Sequence, residues 1–274
     1  MFTLGSLLVP TAWFGPFALA ALLRLAERRW PRWRSSEDAL ATAKFGLGAL
    51  TLCTLVFCIL ALQEPIVAAA FPLRVVDVSA LPAPIAVIFA VSFLLIDLAA
   101  WVSHWIMHRL GFLWSLHKVH HADENVSAST ALLHHPLEAA INWAFMLSVY
   151  VTFGIPLGAV LLYAACAALH SALSHSNIAL PKWLNTVLSP VMILPDVHRI
   201  HHSIVGRESH SNYGQLFPFW DRLFGVYVNA PREGIRDFRM GVEGEKISSD
   251  RPIKAMLKMP WIKGRPVSGE MTET

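Results

Sequence analysis

The chain has 274 residues, of which 55% are hydrophobic and only 15% charged, and its mean hydropathy is +0.49. That balance lies outside the soluble globular range and points to a membrane protein. A net charge of +3, with basic residues beside apolar segments instead of along one basic face, excludes a nucleic-acid partner. Cys53, Cys58 and Cys166 all fall in apolar runs and read as packing residues, with no disulfide framework and no cysteine metal site.

The apolar runs follow in chain order. Residues 7–26, LLVPTAWFGPFALAALLRLA, are apolar as far as Arg24 and reach the roughly 20 residues needed to cross the hydrocarbon core. Basic residues follow this run instead of preceding it and no small-residue cleavage site stands out, so it reads as an anchor and not a signal peptide. Residues 39–62 make a second span, and residues 83–105 a third that is interrupted by Asp97. Residues 139–173 are too long for one untilted crossing and break at GIP, 154–156, which predicts a tight helical hairpin.

Arg24, Arg28, Arg29, Arg32, Arg34 and Lys44 crowd the loop after the first span, whereas the loop 63–82 carries only Arg74. The positive-inside rule then places the first loop in the cytoplasm. His104 through His135, and after the hairpin His170 and His175, follow on that same side. Trp30 and Trp33 among the arginines read as interfacial anchors, with lipid head-group recognition as the alternative.

All thirteen histidines lie between 104 and 210. His104 and His108 are four apart and share a helical face. HKVHH, with His117, His120 and His121, and HRIHH, with His198, His201 and His202, repeat one spacing of three and four. Each triplet is a face that can serve one metal or bridge a pair. A single histidine on an apolar face is most simply a packed core residue, but that explanation would have to hold many times at once here. Imidazole suits Zn, Cu, Fe and Ni, and eight or more imidazoles exceed the three or four ligands of one zinc site. Two metal ions fit the count.

The order HxxxH, HxxHH, HSN, HxxHH in a polytopic chain resembles the fatty acid hydroxylase superfamily, which includes the sterol desaturases. DLAAWVSHWIMHR at 97–109, LWSLHKVHH, LLHHPLE at 132–138, HSNIALP, HRIHHS, NYG at 212–214 and FWDRLFGVY at 219–227 are similar to successive elements of that family, over about residues 93–228. The resemblance implies a membrane di-iron oxygenase. Its implied ligands are His104, His108, His117, His120, His121, His175, His198, His201 and His202. His170 is a tenth candidate, with helix packing as the alternative because five residues separate it from His175. His135 is expected to support a ligand from outside the metal's own coordination sphere, His134 to be a neighbour without a role, and His210 to be a surface residue that binds no metal.

Asp97, Trp101, His104 and His108 lie on one helical stripe, which turns the acid toward the metal side about two turns from His104, about 10 Å along the axis. An ionisable residue inside a span is a functional candidate, here expected to orient a histidine of another segment. Asn142, Asp196, Asn212 and Asp221 are similar supporting candidates, with purely structural roles as the alternative.

The resemblance further implies two iron ions, with zinc able to substitute in preparations, O2 as co-substrate, and a lipid substrate such as a fatty acyl chain, an aminolipid or a sterol-like molecule. Electrons would come from an external donor, a ferredoxin or cytochrome-type protein with its reductase, because no Gly-rich dinucleotide fingerprint is present. The expected fold is an all-α integral membrane protein, multi-pass, with transmembrane helical hairpins under a cytoplasmic helical cap that holds a dinuclear site. Residues 1–82 would be N-terminal transmembrane helices and loops, 83–228 the catalytic domain, and 229–274 a cytoplasmic extension ending flexibly at GRPVSGEMTET. A membrane zinc hydrolase lacks an HExxH pattern here, and a histidine-rich metal-handling protein would need ligands spread along a transmembrane route; both remain the alternatives.

Overall fold

Every long apolar run folds as a helix, because a buried or lipid-facing backbone must satisfy its polar groups within the segment. The structure is a computed structural model that describes residues 4–32, 40–232 and 238–262, with side chains of the first helix described from Trp13 onward. The elements are α1 (Leu4–Arg29), α2 (Ala41–Ala70), α3 (Ile85–Arg109), α4 (Gly111–His121), α5 (Pro136–Thr152), α6 (Leu157–His175), α7 (Lys182–Leu188), α8 (Pro195–His201), α9 (Gly206–Ser209), α10 (Phe219–Leu223) and α11 (Pro252–Lys258). Among the described residues there is no strand, only isolated bridges.

Ala41–Leu73, which is α2 with its short 3-10 extension, together with α3 and α6, are long and apolar enough to cross a membrane. Their outward faces are apolar, with Phe57, Leu60, Ile85 and Leu157 all more than half exposed. The second span overruns its expected end at residue 62: α2 continues through Gln63, Glu64 and Pro65. Pro65 removes only one amide donor, and the apolar IVAAA that follows carries the helix on. The hairpin turns at Gly154, whose φ of 55° is costly for a residue with a Cβ, and a Cβ there would also meet the Asp77 backbone at 2.8 Å. Trp30, exposed and beneath the Arg29 guanidinium, fits an interfacial anchor; Trp33, Arg34 and the GRPVSGEMTET end lie outside the described residues.

α1 packs against α6, and α2 against α5. Between them sits the 3-10 turn Ala128–Leu132, closed by a reciprocal cap of Ser127 and Thr130. Glu27 of α1 accepts from the backbone N–H groups of Ala128 at 2.8 Å and Asn177 at 2.7 Å, which ties this turn to the end of α6. Ile247, Met256 and Met259 of the C-terminal segment pack with Ala43, Leu47, Val119 and Leu133, so the described part of that segment is a lid over α2 and α4.

Lys44, fully buried, is ion-paired with the buried Asp123 and donates to the Asn125 carbonyl at 3.2 Å. Lys44→Met leaves that carboxylate uncompensated, at a cost of about 3–5 kcal/mol. A markedly lower melting temperature in detergent is the expected result, and an unchanged one would contradict it.

Candidate metal centre

Helix geometry decides how the two HxxHH triplets divide. Each residue turns the helix by about 100°, so partners four apart diverge by about 40°, while the histidine three along points about 60° to the other side. His117 and His121 therefore pair and His120 faces elsewhere; His198 and His202 pair and His201 faces elsewhere. The structure has this division. Five histidines, His104, His108, His117, His121 and His201, bring ligand atoms within 4.8 Å of one another, and four, His120, His175, His198 and His202, form a second such group. Each triplet serves both groups. The groups share a seam, with ring centroids 4.6 Å apart for His121 and His202 and 5.4 Å for His117 and His120.

Local structure aims these rings. α3 ends at an extended residue, Leu110, from which α4 starts at Gly111; this bend brings His108 to 5.0 Å from His117 and 4.8 Å from His121. Pro195 in the first turn starts α8, since a helix needs no donor there. Buried carbonyls hold the outer ring nitrogens: the Nδ1 of His104 meets Tyr213 O at 2.9 Å, that of His120 Leu133 O at 3.1 Å, that of His175 Ser171 O at 2.7 Å, and that of His201 Ser211 O at 2.7 Å. A carbonyl only accepts, so each of these nitrogens carries the proton and the opposite Nε2 presents a lone pair.

Those lone pairs are the test of fit for a metal. The Nε2 atoms of His104, His108, His117, His121, His201 and His202 are buried without a partner. In the second group, Nε2 of His175 lies 3.1 Å from Nε2 of His120 and 2.8 Å from Nε2 of His198. With both outer nitrogens of His120 and His175 protonated, two bare lone pairs face each other, a repulsive arrangement that a shared cation relieves. Burial holds His120, His121, His198, His201 and His202 well below the usual imidazole range, which keeps them in the neutral form that ligates.

His170 lies outside both groups. Its Nε2 donates to Ile193 O at 2.8 Å, anchoring α6 to the segment before α8. His135 does not touch a ligand ring: its Nδ1 accepts from Leu137 N at 3.1 Å and caps α5. The supporting role falls instead to two neighbours in HHPLE. Glu138 Oε1 accepts from His117 Nδ1 at 2.8 Å and from His134 Nδ1 at 3.0 Å, and the His134 ring stacks on His120 at 4.4 Å. Glu138 comes one turn into α5, the reach at which a first-turn acid meets the end of α4. Glu138→Gln should weaken metal binding by about 10- to 100-fold, read by competition with a calibrated chelator; unchanged affinity would contradict that role.

Asp97 also differs from expectation. It meets no histidine; it accepts from Tyr163 Oη at 2.8 Å, Trp220 Nε1 at 2.9 Å and Leu216 N at 3.2 Å, so it ties α3 to α6 and to the closing segment. Asp221 accepts from Trp101 Nε1 at 2.8 Å and from the backbone of Tyr213 at 2.8 Å and Gly214 at 3.0 Å. Asn212, with φ of 53°, bonds Val197 O at 3.2 Å and both backbone groups of Val228 at 2.8 Å. It holds the backbone whose flanking carbonyls, Ser211 and Tyr213, orient His201 and His104. A Cβ on Gly214 would sit 2.6 Å from Phe217 O, which explains the glycine of NYG. Asp196 pairs with Arg32 and Asn185, away from the rings. His210 is exposed, its ring 5.6 Å from that of His108.

A cavity of about 530 Å³ opens among α1, α2, α3, α5 and α6, with Phe17, Leu52, Leu55, Ile59 and Met146 on its walls and His104, His117, His120, His175 and His198 at one side. Membrane-length helices, two adjoining all-histidine groups and an apolar cavity beside them define a helical protein whose histidines could hold metal ions. The sequence profile of the family described as fatty acid hydroxylase matches residues 89–226, half of the chain, and the chain belongs to that family. It is 26% identical over 162 residues to the ornithine lipid hydroxylase OlsE of Rhizobium tropici, covering 59% of this chain and 47% of that protein. Its identity to the alkylglycerol monooxygenase of Danio rerio is 30% over 147 residues, covering 50% of this chain and 30% of the relative. The human alkylglycerol monooxygenase is 28% identical over 146 residues, with 50% and 29% covered. The chain thus spans less than half the length of these relatives, and no solved structure matches it.

Proposed function

We propose that this protein is a membrane-bound di-iron oxygenase that inserts oxygen into, or desaturates, an unactivated C–H position of a lipid. The observation that carries this reading is the meeting of five and four converging imidazoles with one side of an apolar cavity between membrane-length helices. The names of the relatives, a lipid hydroxylase and monooxygenases, support it.

His104, His108, His117, His121 and His201 would hold one iron, and His120, His175, His198 and His202 the other, with His170 as a packing residue. Zinc takes the same imidazoles in preparations. When bound, the irons supply the reduction of O2 and the oxidant for the C–H bond. The chain's own residues do the rest. Tyr213, Leu133, Ser171 and Ser211 carbonyls and the Glu138 carboxylate fix the rings, and the apolar walls exclude water and align the lipid chain. In the hydroxylation balance, one C–H bond, O2, two electrons and two protons give one C–OH and one water. The electrons come from a ferredoxin or cytochrome-type protein with its reductase.

Residues 83–228 form the catalytic unit in this reading, preceded by the anchoring helices of 1–82 and followed by the extension 229–274. The arginines at the end of α1 support a cytoplasmic site and C-terminus. The substrate is a fatty acyl chain, an aminolipid or a sterol-like molecule whose tail enters from the bilayer. Iron-loaded protein given a reducing system, membrane lipids and 18O2 should yield a lipid heavier by one labelled oxygen, or one lighter by two hydrogens. Unchanged lipids from fully iron-loaded protein would contradict the reading.

A further inference from the structure

One polar side chain in the cavity has part of its hydrogen-bonding capacity unused. The Ser103 hydroxyl of α3 donates to the side-chain oxygen of Asn142 on α5 at 2.7 Å, which fixes the amide plane. An amide nitrogen has two donors, and that of Asn142 meets no protein acceptor among the described residues. Asn142 lines the cavity, with Met107, Ala139, Trp143 and Met146 nearby on the same wall. Ser103 directly precedes His104, and Asn142 lies one helical turn beyond Glu138, which holds His117 at 2.8 Å. The unused donors therefore lie in the cavity that His104 and His117 of the first histidine group also line. A hydrocarbon occupant would leave them unpaired, whereas an occupant carrying an acceptor oxygen would satisfy them.

We infer that Asn142 recognises an oxygen atom of the lipid, whether hydroxyl, ether or carbonyl, which accepts from the amide N–H and holds the chain at a fixed depth beside the histidines. Asn142 is thus a specificity-determining residue that selects an oxygen-bearing chain over plain hydrocarbon. The inference rests on the lipid-oxygenase reading for what fills the cavity. Ser103 is a positioning residue that acts through Asn142.

The test is equilibrium binding of radiolabelled 1-hexadecanol and of hexadecane to the full chain in detergent, by scintillation proximity, alongside metal content as a check on folding. The two ligands differ by one oxygen, so the change in their affinity ratio between proteins isolates the contact. Asn142→Leu should lower the preference for 1-hexadecanol about tenfold while hexadecane binding stays within about twofold, the size of one neutral hydrogen bond. Asn142→Ser, which keeps a small donor, should recover part of the preference and serves if the Leu variant does not fold. An unchanged preference in variants with normal metal content, or an equal loss for both ligands, would overturn the assignment and leave the oxygenase reading standing. Failure of the unaltered protein to bind either ligand would overturn both.

Discussion

His121→Ala should leave the protein with about one metal ion per chain instead of two, and should lower turnover on the order of a thousandfold, about 4 kcal/mol of transition-state stabilisation. His198→Ala should do the same from the other group. The reason lies in the packing: His121 converges with four other histidines and His198 with three, and both are buried, so each variant removes one of the ligands on which its group depends. His170→Ala is the control. Its ring bonds Ile193 O at 2.8 Å outside both groups, so that variant should keep both ions and lose only stability. Metal analysis and turnover on the three purified variants decide this. Two ions retained after His121→Ala, or one lost after His170→Ala, would contradict the division of the histidines.

Removing the metal should lower the melting temperature strongly. A site that is filled at a free metal concentration a thousandfold above its dissociation constant adds about 4 kcal/mol to stability, and two such sites are present in this account. The metal-free state also leaves the His120 and His175 Nε2 atoms facing each other at 3.1 Å, a repulsion that a bound cation relieves. Thermal unfolding in detergent, before and after a chelator and again after anaerobic Fe(II), should show a fall and a recovery. A melting temperature indifferent to both treatments would mean that the imidazoles are packing groups.

Much of this architecture was legible in the chain because its signals are local. That the apolar runs are helices follows from their length and composition, and the hairpin follows from GIP at 154–156, whereas the spacing of HxxHH left open whether each triplet serves one group or both, which the docked helices decide. What the sequence did not yield depends on where distant segments dock. Asp97 lies on the same stripe as His104 and His108, yet its partners are Tyr163, Trp220 and Leu216, far along the chain. Its proximity to the histidines in sequence was therefore a poor guide to its contacts. His135, expected to support a ligand, instead caps α5, and Glu138, to which no role was assigned, supports His117, because Pro136 starts a helix there: the residue before the proline caps it, and the acid in its first turn reaches His117. His134, expected to be idle, stacks on His120, a contact set by how α5 docks beside α4. The overrun of α2 past residue 62 shows that a proline with apolar residues after it does not by itself end a membrane-length helix.

The central claim is that nine histidines hold two coupled irons. Its most direct test is metal content with Mössbauer spectra, on protein purified anaerobically from cells grown with isotopically enriched iron. Close to two irons per chain, magnetically coupled after exposure to O2, are the expected result. One tightly held zinc per chain and no iron under those conditions would contradict it and favour a zinc hydrolase.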